Sequence, residues 1–432
     1  MSNSSIITSM VNVRLLAANS GALGWESPFF SPSSPAIVVK GANPNQDHAF
    51  VGTFNGAIHK IGLWSGTQQA TFQIGGAVRG LAHSDNVVYA NVGASLVAYN
   101  IDPPNLLWTK AMDEISWGAP YVSNGIVYSG SWDGKLYAIR TDGTTAWIST
   151  AFDFWAAQPI VEGGVVYAAA WEKLVALDAA TGAVIWQSST TNGATITSPV
   201  GFGDGRIYVG TAWGALLCAF DASNGNELWS SNFGGHPTPP TYRAGRVFAA
   251  AENGGGDGYL KSFDAADGHL LWTSQVPVSN SGDAVSRAVF DGPYDHHVFV
   301  ASQNGNVYAF QRSSGTLNWK AGVGSVWPID PKWTEQRGIM PWDSYRDIPE
   351  YRTIDPMALL LRGDIYVKLN LPYPLPLEAA VVRVRQSAQG MTEKQKKMAL
   401  KQLSNLDMVS DVLKEAITMS KKQRTKSNRK KQ

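Results

Sequence analysis

The sequence predicts an all-β fold, an eight-bladed β-propeller with four-stranded blades, followed by a C-terminal α-helical extension and a disordered basic tail. Three observations carry that expectation. A phrase of the form DxxxGxxxW returns as ALDAATGAVIW ending at Trp186, AFDASNGNELW ending at Trp229 and SFDAADGHLLW ending at Trp272. The closing aromatic recurs at Trp25, Phe72, Trp108, Trp147, Trp186, Trp229, Trp272 and Trp319, at intervals of 36 to 47 residues, which is the period of a propeller blade. The composition, with 43 glycines and 16 tryptophans in 432 residues and only 16% charged residues, favours turn-dense sheet over helix.

Each unit reads as four short strands. A strand preceded by Pro or Gly is followed by one like RIYVG, one like LLCAF, and a last strand that carries the tryptophan. Within the phrase, Asp178, Asp221 and Asp264 are placed to accept hydrogen bonds from the turn that follows them. Gly182, Gly225 and Gly268 supply the positive φ of that turn. The tryptophan four residues on is expected to lie between neighbouring blades, with its indole N–H given to a backbone carbonyl. Two units depart from the pattern, with Phe72 in place of Trp and with Pro103 and Pro104 near the usual Gly; these blades are expected to dock less regularly.

Seven units are complete between residues 36 and 322. The hairpin 11–28 supplies only the third and fourth strands of an eighth, and its two inner strands are expected from residues 356–371. The domain boundaries are therefore a propeller over 1–325, an irregular Trp- and Pro-rich insertion over 326–355 and closing strands over 356–371. A helical extension over 376–420 and a basic tail over 421–432 complete the chain. Within the extension, Leu400, Leu403, Leu406, Val409, Leu413 and Ile417 recur at helical spacing, and Thr392 with Gln395 forms a capping box. The tail KKQRTKSNRKKQ has no apolar residue to bury and reads as disordered.

The repeat phrases, together with SGSWDGKLYAI at 129–139, resemble the PQQ-enzyme repeat over about residues 12–322. That family contains quinoprotein dehydrogenases and non-catalytic scaffold propellers. For the dehydrogenases the resemblance implies PQQ stacked on a tryptophan, calcium held by Glu and Asn, and a catalytic Asp. Adjacent cysteines and a CxxCH haem site often accompany them. This chain has one cysteine, Cys218, and its Glu, Asn and Asp residues do not fall onto a recognisable motif; Asp283 is the clearest carboxylate near the channel. The reading that follows is of scaffold type: no catalytic residue, no metal ligand and no cofactor, with a PQQ- and calcium-dependent alcohol or sugar oxidoreductase as the alternative.

The candidate binding residues lie in loops that share one face of a propeller. Trp117, Trp155 and His236 precede innermost strands, near the channel. Trp132, Trp171 and Trp213 fall at matching positions between the second and third strands of three consecutive blades. An arc of aromatics with few charges suits a protein or glycan partner; the competing reading packs the outer three between blades. Seven histidines are scattered, and adjacent His296 and His297 on a strand would point to opposite faces, which argues against a shared metal. The run ENGGGDG at 252–258 lacks the Lys-Ser/Thr of a phosphate loop and reads as a hairpin tip.

Net charge is close to zero but unevenly placed. Residues 1–325 carry 15 Lys+Arg against 22 Asp+Glu, and the last 107 residues carry 20 against 12. The basic end is a second contact for an anionic partner, and the amphipathic helix before it offers a route to oligomers. No apolar run reaches the length of a membrane-spanning helix, and the N-terminus lacks the basic and apolar regions of a signal peptide.

Overall fold

In the computed structural model the described residues lie between 5 and 322, apart from the stretches 10–12, 18–19, 21, 28–33, 35, 40–45, 117, 153–157, 171–172, 191–195, 197–198, 212–214, 236, 253–256, 278–286, 291–295 and 303–305. The chain divides into two compact units, Met1–Asp347 and Ile348–Gln432, and the described residues belong to the first. The expected insertion 326–355, closing strands 356–371, helix 376–420 and tail 421–432 lie outside them.

Every described element is a β-strand or a turn. Seven four-stranded antiparallel sheets follow one another along the chain, spanning residues 37–73, 78–111, 121–149, 160–188, 201–232, 241–277 and 289–322. In each, strand order in space equals strand order in sequence. These are blades one to seven of a propeller.

The expectation of eight four-stranded blades is therefore corrected to seven. The remaining sheet has three strands, Ser5–Ser9, Val13–Ala17 and Leu23–Ser27, all from the N-terminus. The hairpin 11–28, expected to pair with residues 356–371, pairs instead with Ser5–Ser9, in register Ser5↔Ala17 to Ser9↔Val13. The segment SIITS is too short and too polar to stand out as a strand. Leu15 of this sheet packs with Ala36, Val38, Ala49 and Val51 of blade one, and Leu16 packs with Val289, Phe299 and Ala301 of blade seven. Arg14 reaches across to blade seven, donating from Nη1 to the carbonyl of Gly322 at 3.2 Å.

The joint between blades follows from the repeated phrase. Trp147 donates its indole N–H to the carbonyl of Ala179 at 3.0 Å, Trp186 to Ala222 at 3.1 Å and Trp229 to Ala265 at 3.1 Å. Each acceptor is the residue after the phrase's Asp in the next blade. Asp178 Oδ1 accepts from the N–H groups of Ala180 and Thr181, and Asp221 and Asp264 close their turns in the same way. The turn glycine then lies flat against the indole. A Cβ on Gly182 would stand 2.5 Å from Trp147, one on Gly225 2.5 Å from Trp186, and one on Gly268 2.4 Å from Trp229. All three have φ between 74° and 76°. Gly is thus required twice, by the turn and by the ring lying against it. Trp25 of the N-terminal sheet uses the same joint, donating to the Leu63 carbonyl at 2.8 Å with Gly66 against its ring.

The units expected to dock irregularly do so only in part. Trp108 makes the standard joint, donating to Thr141 at 2.9 Å with Gly143 beneath it. Phe72 has no N–H to give and packs on Tyr99 of blade two at 5.0 Å.

Two further features recur. The second strand of each of blades two to seven carries a buried aromatic tilted against that blade's own tryptophan. The pairs Tyr89–Trp108, Tyr128–Trp147, Tyr167–Trp186, Tyr208–Trp229, Phe248–Trp272 and Phe299–Trp319 have centroids 5.7 to 6.1 Å apart. Such pairs each add about 0.5–1.5 kcal/mol beyond burial. The outer strand also shifts register just before its tryptophan in blades two to seven, so that Leu107, Ala146, Ile185 and Leu228, for example, have no partner residue. A bulge there bends the outer edge and increases its twist, which discourages edge-to-edge pairing.

Candidate functional site

The face expected to bind partners is built from two kinds of loop: those leading into an innermost strand and those joining second to third strands. Blade three shows how they meet. Loop 113–118 leads into its inner strand, Tyr121–Ser123, and loop 131–135 joins its second and third strands. The N–H of Trp132 donates to the Ile115 carbonyl at 3.0 Å, and Ser131 Oγ donates to the Glu114 carbonyl at 2.9 Å. The two loops therefore form one surface, as a propeller requires.

A polar cluster holds the tip of this pair. Asp133, whose side chain is only 8% exposed, accepts the Lys135 N–H at 2.8 Å on Oδ1 and the Tyr137 hydroxyl at 2.6 Å on Oδ2. Tyr137 Oη in turn accepts the N–H of Asp113 at 3.2 Å, and Lys135 pairs with Asp113. Its hydrogen bond to Asp113 raises the ammonium pKa of Lys135, and burial, then the bond to Asp133, raise that of the Tyr137 phenol. These groups stay in their neutral-pH protonation states and hold shape; they do not exchange protons near pH 7. Trp132 sits half-buried on this loop.

Of the six residues singled out in the sequence, the structure places Trp132. Trp117, Trp155, Trp171, Trp213 and His236 lie outside the described residues, as does Asp283. Sequence reading missed the polar residues beneath Trp132, above all Asp133 and Tyr137. Their signal was the compact turn SWDGKLY, in which an Asp four residues before a Tyr can close both its own loop and its neighbour.

Among the described residues no group of three or more His, Cys, Asp or Glu side chains converges. Cys218 is buried, and that burial pushes its thiol pKa up to about 12, so it stays protonated and unreactive at neutral pH.

The repeat that builds these blades has sequence counterparts in known proteins. The PQQ_2 family model, described as outer membrane protein assembly factor BamB, matches residues 9–195 and 170–326. The chain belongs to the PQQ_2 family. A PQQ_2 relative, the outer membrane protein assembly factor BamB of Escherichia coli (strain K12), is 27% identical over 265 residues, covering 57% of this chain and 56% of that protein. The dehydrogenase subunit of the quinone alcohol dehydrogenase of Acetobacter aceti is 27% identical over 239 residues, covering 42% of this chain and 32% of the relative. The chain thus spans about half or less of the length of these curated relatives. The crystal structure of BamB from Moraxella catarrhalis superimposes with a TM-score of 0.54 at 16% identity, covering 67% of this chain and 88% of that one, a likeness of fold. An assembly factor and a dehydrogenase subunit thus both stand among the relatives.

Proposed function

We propose that this chain is a non-enzymatic binding scaffold whose propeller presents an aromatic loop face to a protein partner. The observation that carries the reading is the blade-three loop pair. Its polar groups are spent on holding the loops together, with Trp132 half-buried on the surface they form. A preorganised surface with one rim of aromatics suits recognition, because little conformational entropy is lost on binding. The BamB relative is named an assembly factor, which supports a protein rather than a glycan as the partner. In this reading the binding residues are Trp132 together with Trp117, Trp155, His236, Trp171 and Trp213. The same reading gives the basic residues of 421–432 an electrostatic contact with an anionic partner and the segment 376–420, whose apolar residues recur at helical spacing, a subunit contact.

The test is capture of protein partners by the immobilised chain. Trp117→Ala with Trp155→Ala, and separately Trp132→Ala, should abolish capture while the melting temperature moves by no more than about 2–4 °C. A fall in stability well beyond that would make these indoles core residues and remove the proposal.

The quinoprotein reading rests on the Acetobacter aceti relative. Adding PQQ with calcium and following quinone absorbance and alcohol-dependent dye reduction separates the two. Turnover would establish the oxidoreductase in place of the scaffold.

A further inference from the structure

Asn-Gly pairs stand at six places in the chain, and three of them, Asn55-Gly56, Asn124-Gly125 and Asn224-Gly225, lie among the described residues. The dipeptide carries a latent reaction. The backbone nitrogen that follows an asparagine can attack the carbon of its carboxamide, and a glycine there leaves the approach open because it has no Cβ. Within a fold, the attack depends on how firmly the carboxamide and that nitrogen are held.

Two of the three pairs are held. At Asn224, Oδ1 accepts the Asn226 N–H at 2.9 Å, and Gly225 donates its N–H to the Asp221 carbonyl at 2.8 Å while lying buried against Trp186. At Asn55, Oδ1 accepts the Thr53 hydroxyl, and buried Gly56 donates its N–H to the Thr53 carbonyl at 3.2 Å. Asn124-Gly125 differs from both. It forms the turn between the inner and second strands of blade three, with φ of 50° and 74° and both residues exposed. Among the described residues neither the Asn124 carboxamide nor the Gly125 N–H has a hydrogen-bond partner. The Gly125 carbonyl accepts the Thr141 N–H at 3.0 Å. A Cβ on Gly125 would meet nothing within 4 Å, so the tip has room to turn.

We propose that Asn124 is a site of spontaneous covalent modification. The Gly125 nitrogen loses its proton and forms a bond to Asn124 Cγ; the bond from Cγ to Nδ2 breaks, and the amide nitrogen leaves as ammonia. The cyclic imide so formed takes up water and opens at either carbonyl, with no oxidant or reductant involved. Breaking the new N–Cγ bond leaves aspartate. Breaking the original peptide bond leaves isoaspartate, in which Cβ has entered the main chain. Either product carries a negative charge at neutral pH. The fold already accommodates the first, because Asp204-Gly205 makes the equivalent turn in blade five with φ of 53° and 68°. The second lengthens the turn, and so disturbs the pairing of Ser123 with Ile126 and the Thr141 bond to Gly125. The modification acts at the other end of the second strand, Ile126–Gly130, from the loop that carries Trp132.

The test is prolonged incubation of the full chain at mildly alkaline pH, with its proteolytic peptides followed by mass spectrometry. Asn124 should convert at least about tenfold faster than Asn55 and Asn224, and both aspartate and isoaspartate peptides should appear. In concentrated urea the three rates should converge, since the dipeptide is the same and only the fold sets the sites apart. No conversion at Asn124, equal rates at the three sites of the folded chain, or a lead for Asn124 that persists undiminished in urea would each overturn the assignment. Asn124→Asp installs the first product. It should elute on anion exchange with the acidic species formed by the parent, and its melting temperature should move by no more than about 2–4 °C. A larger fall would overturn the accommodation of aspartate in this turn.

Discussion

The glycine of the repeated turn answers to two demands at once, and substitutions can separate them. Gly182 has φ of 74° and an indole against its Cα; Gly205 has φ of 68° with open space for 4 Å around the point a Cβ would occupy. Gly205→Ala should therefore cost about 1 kcal/mol, the conformational term alone. Gly182→Ala should cost about 2–4 kcal/mol, because it also displaces Trp147. Urea denaturation of the two variants side by side measures the difference. Ala244 tests the opposite sign. It holds φ of 49° before Gly245, in a two-residue turn where other blades have Asn124-Gly125 or Asp204-Gly205. Ala244→Asn should raise stability by about 0.5–1 kcal/mol, read as a higher denaturation midpoint. Histidines supply the pH dependence. Burial lowers the pKa of His59, and burial likewise lowers those of His48 and His83 below the ordinary 6.5. The unfolded chain then binds more protons as pH falls, so stability is complete above about pH 7.5 and declines as pH drops through 6.5 and below. Thermal melts between pH 8 and pH 5 should show that decline, and His59→Gln should flatten it. At this scale the sequence was legible where a residue type returns at a fixed spacing. The Asp and Gly of the phrase were readable in that way, whereas Asn91, buried in blade two and hydrogen-bonded to Ser116, Ser129 and the Gly118 carbonyl, was not. Its partners are residues that only folding brings near it.

Among elements, the four-stranded blade was legible because its period is long and its punctuation strong. The register shift before each outer tryptophan was not, since one unpaired residue in an outer strand leaves no mark in composition. Nor was the short strand Ser5–Ser9, whose only evidence is its partner Val13–Ala17. The aromatic on each second strand was visible as a recurring Tyr or Phe, yet its purpose depends on two neighbours. Tyr128 donates its hydroxyl to the Ala179 carbonyl at 3.0 Å and Tyr167 to Ala222 at 3.2 Å, the same carbonyls that accept Trp147 and Trp186. Tyr208, at the equivalent point in blade five, has its hydroxyl buried and makes no such bond to a carbonyl, with only the Arg206 guanidinium interacting with it. Tyr128→Phe and Tyr167→Phe should each cost about 1 kcal/mol, while Tyr208→Phe should be neutral or slightly stabilising. A common chemical-denaturation series on the three variants checks the ordering, and an equal loss in all three would refute it.

At the scale of the molecule, the N-terminal sheet decides whether the array between residues 37 and 322 holds together. It contributes Leu15 and Trp25 to blade one and Leu16 and Arg14 to blade seven. A chain lacking residues 1–27 would expose apolar surface on both of those blades. It should melt at least about 10 °C lower than the parent, with exchange protection falling first in blades one and seven. The count of blades was misread because the tryptophan spacing marks sheets without saying how many strands each has. Of the candidate face, the meeting of the two blade-three loops was legible from topology, whereas the side chains that tie them, Ser131, Asp133 and Tyr137, were not. The joint itself has a further consequence. Blades three to six each offer the same kind of indole plug to the successor and the same kind of glycine-and-carbonyl socket to the predecessor, so that part of the fold is indifferent to which blade follows which. An in-frame duplication of the stretch from Trp186 to Trp229 would carry its own plug and socket. The lengthened gene product would meet both new neighbours through chemistry already in use, and such a chain could gain a repeat in a single genetic event.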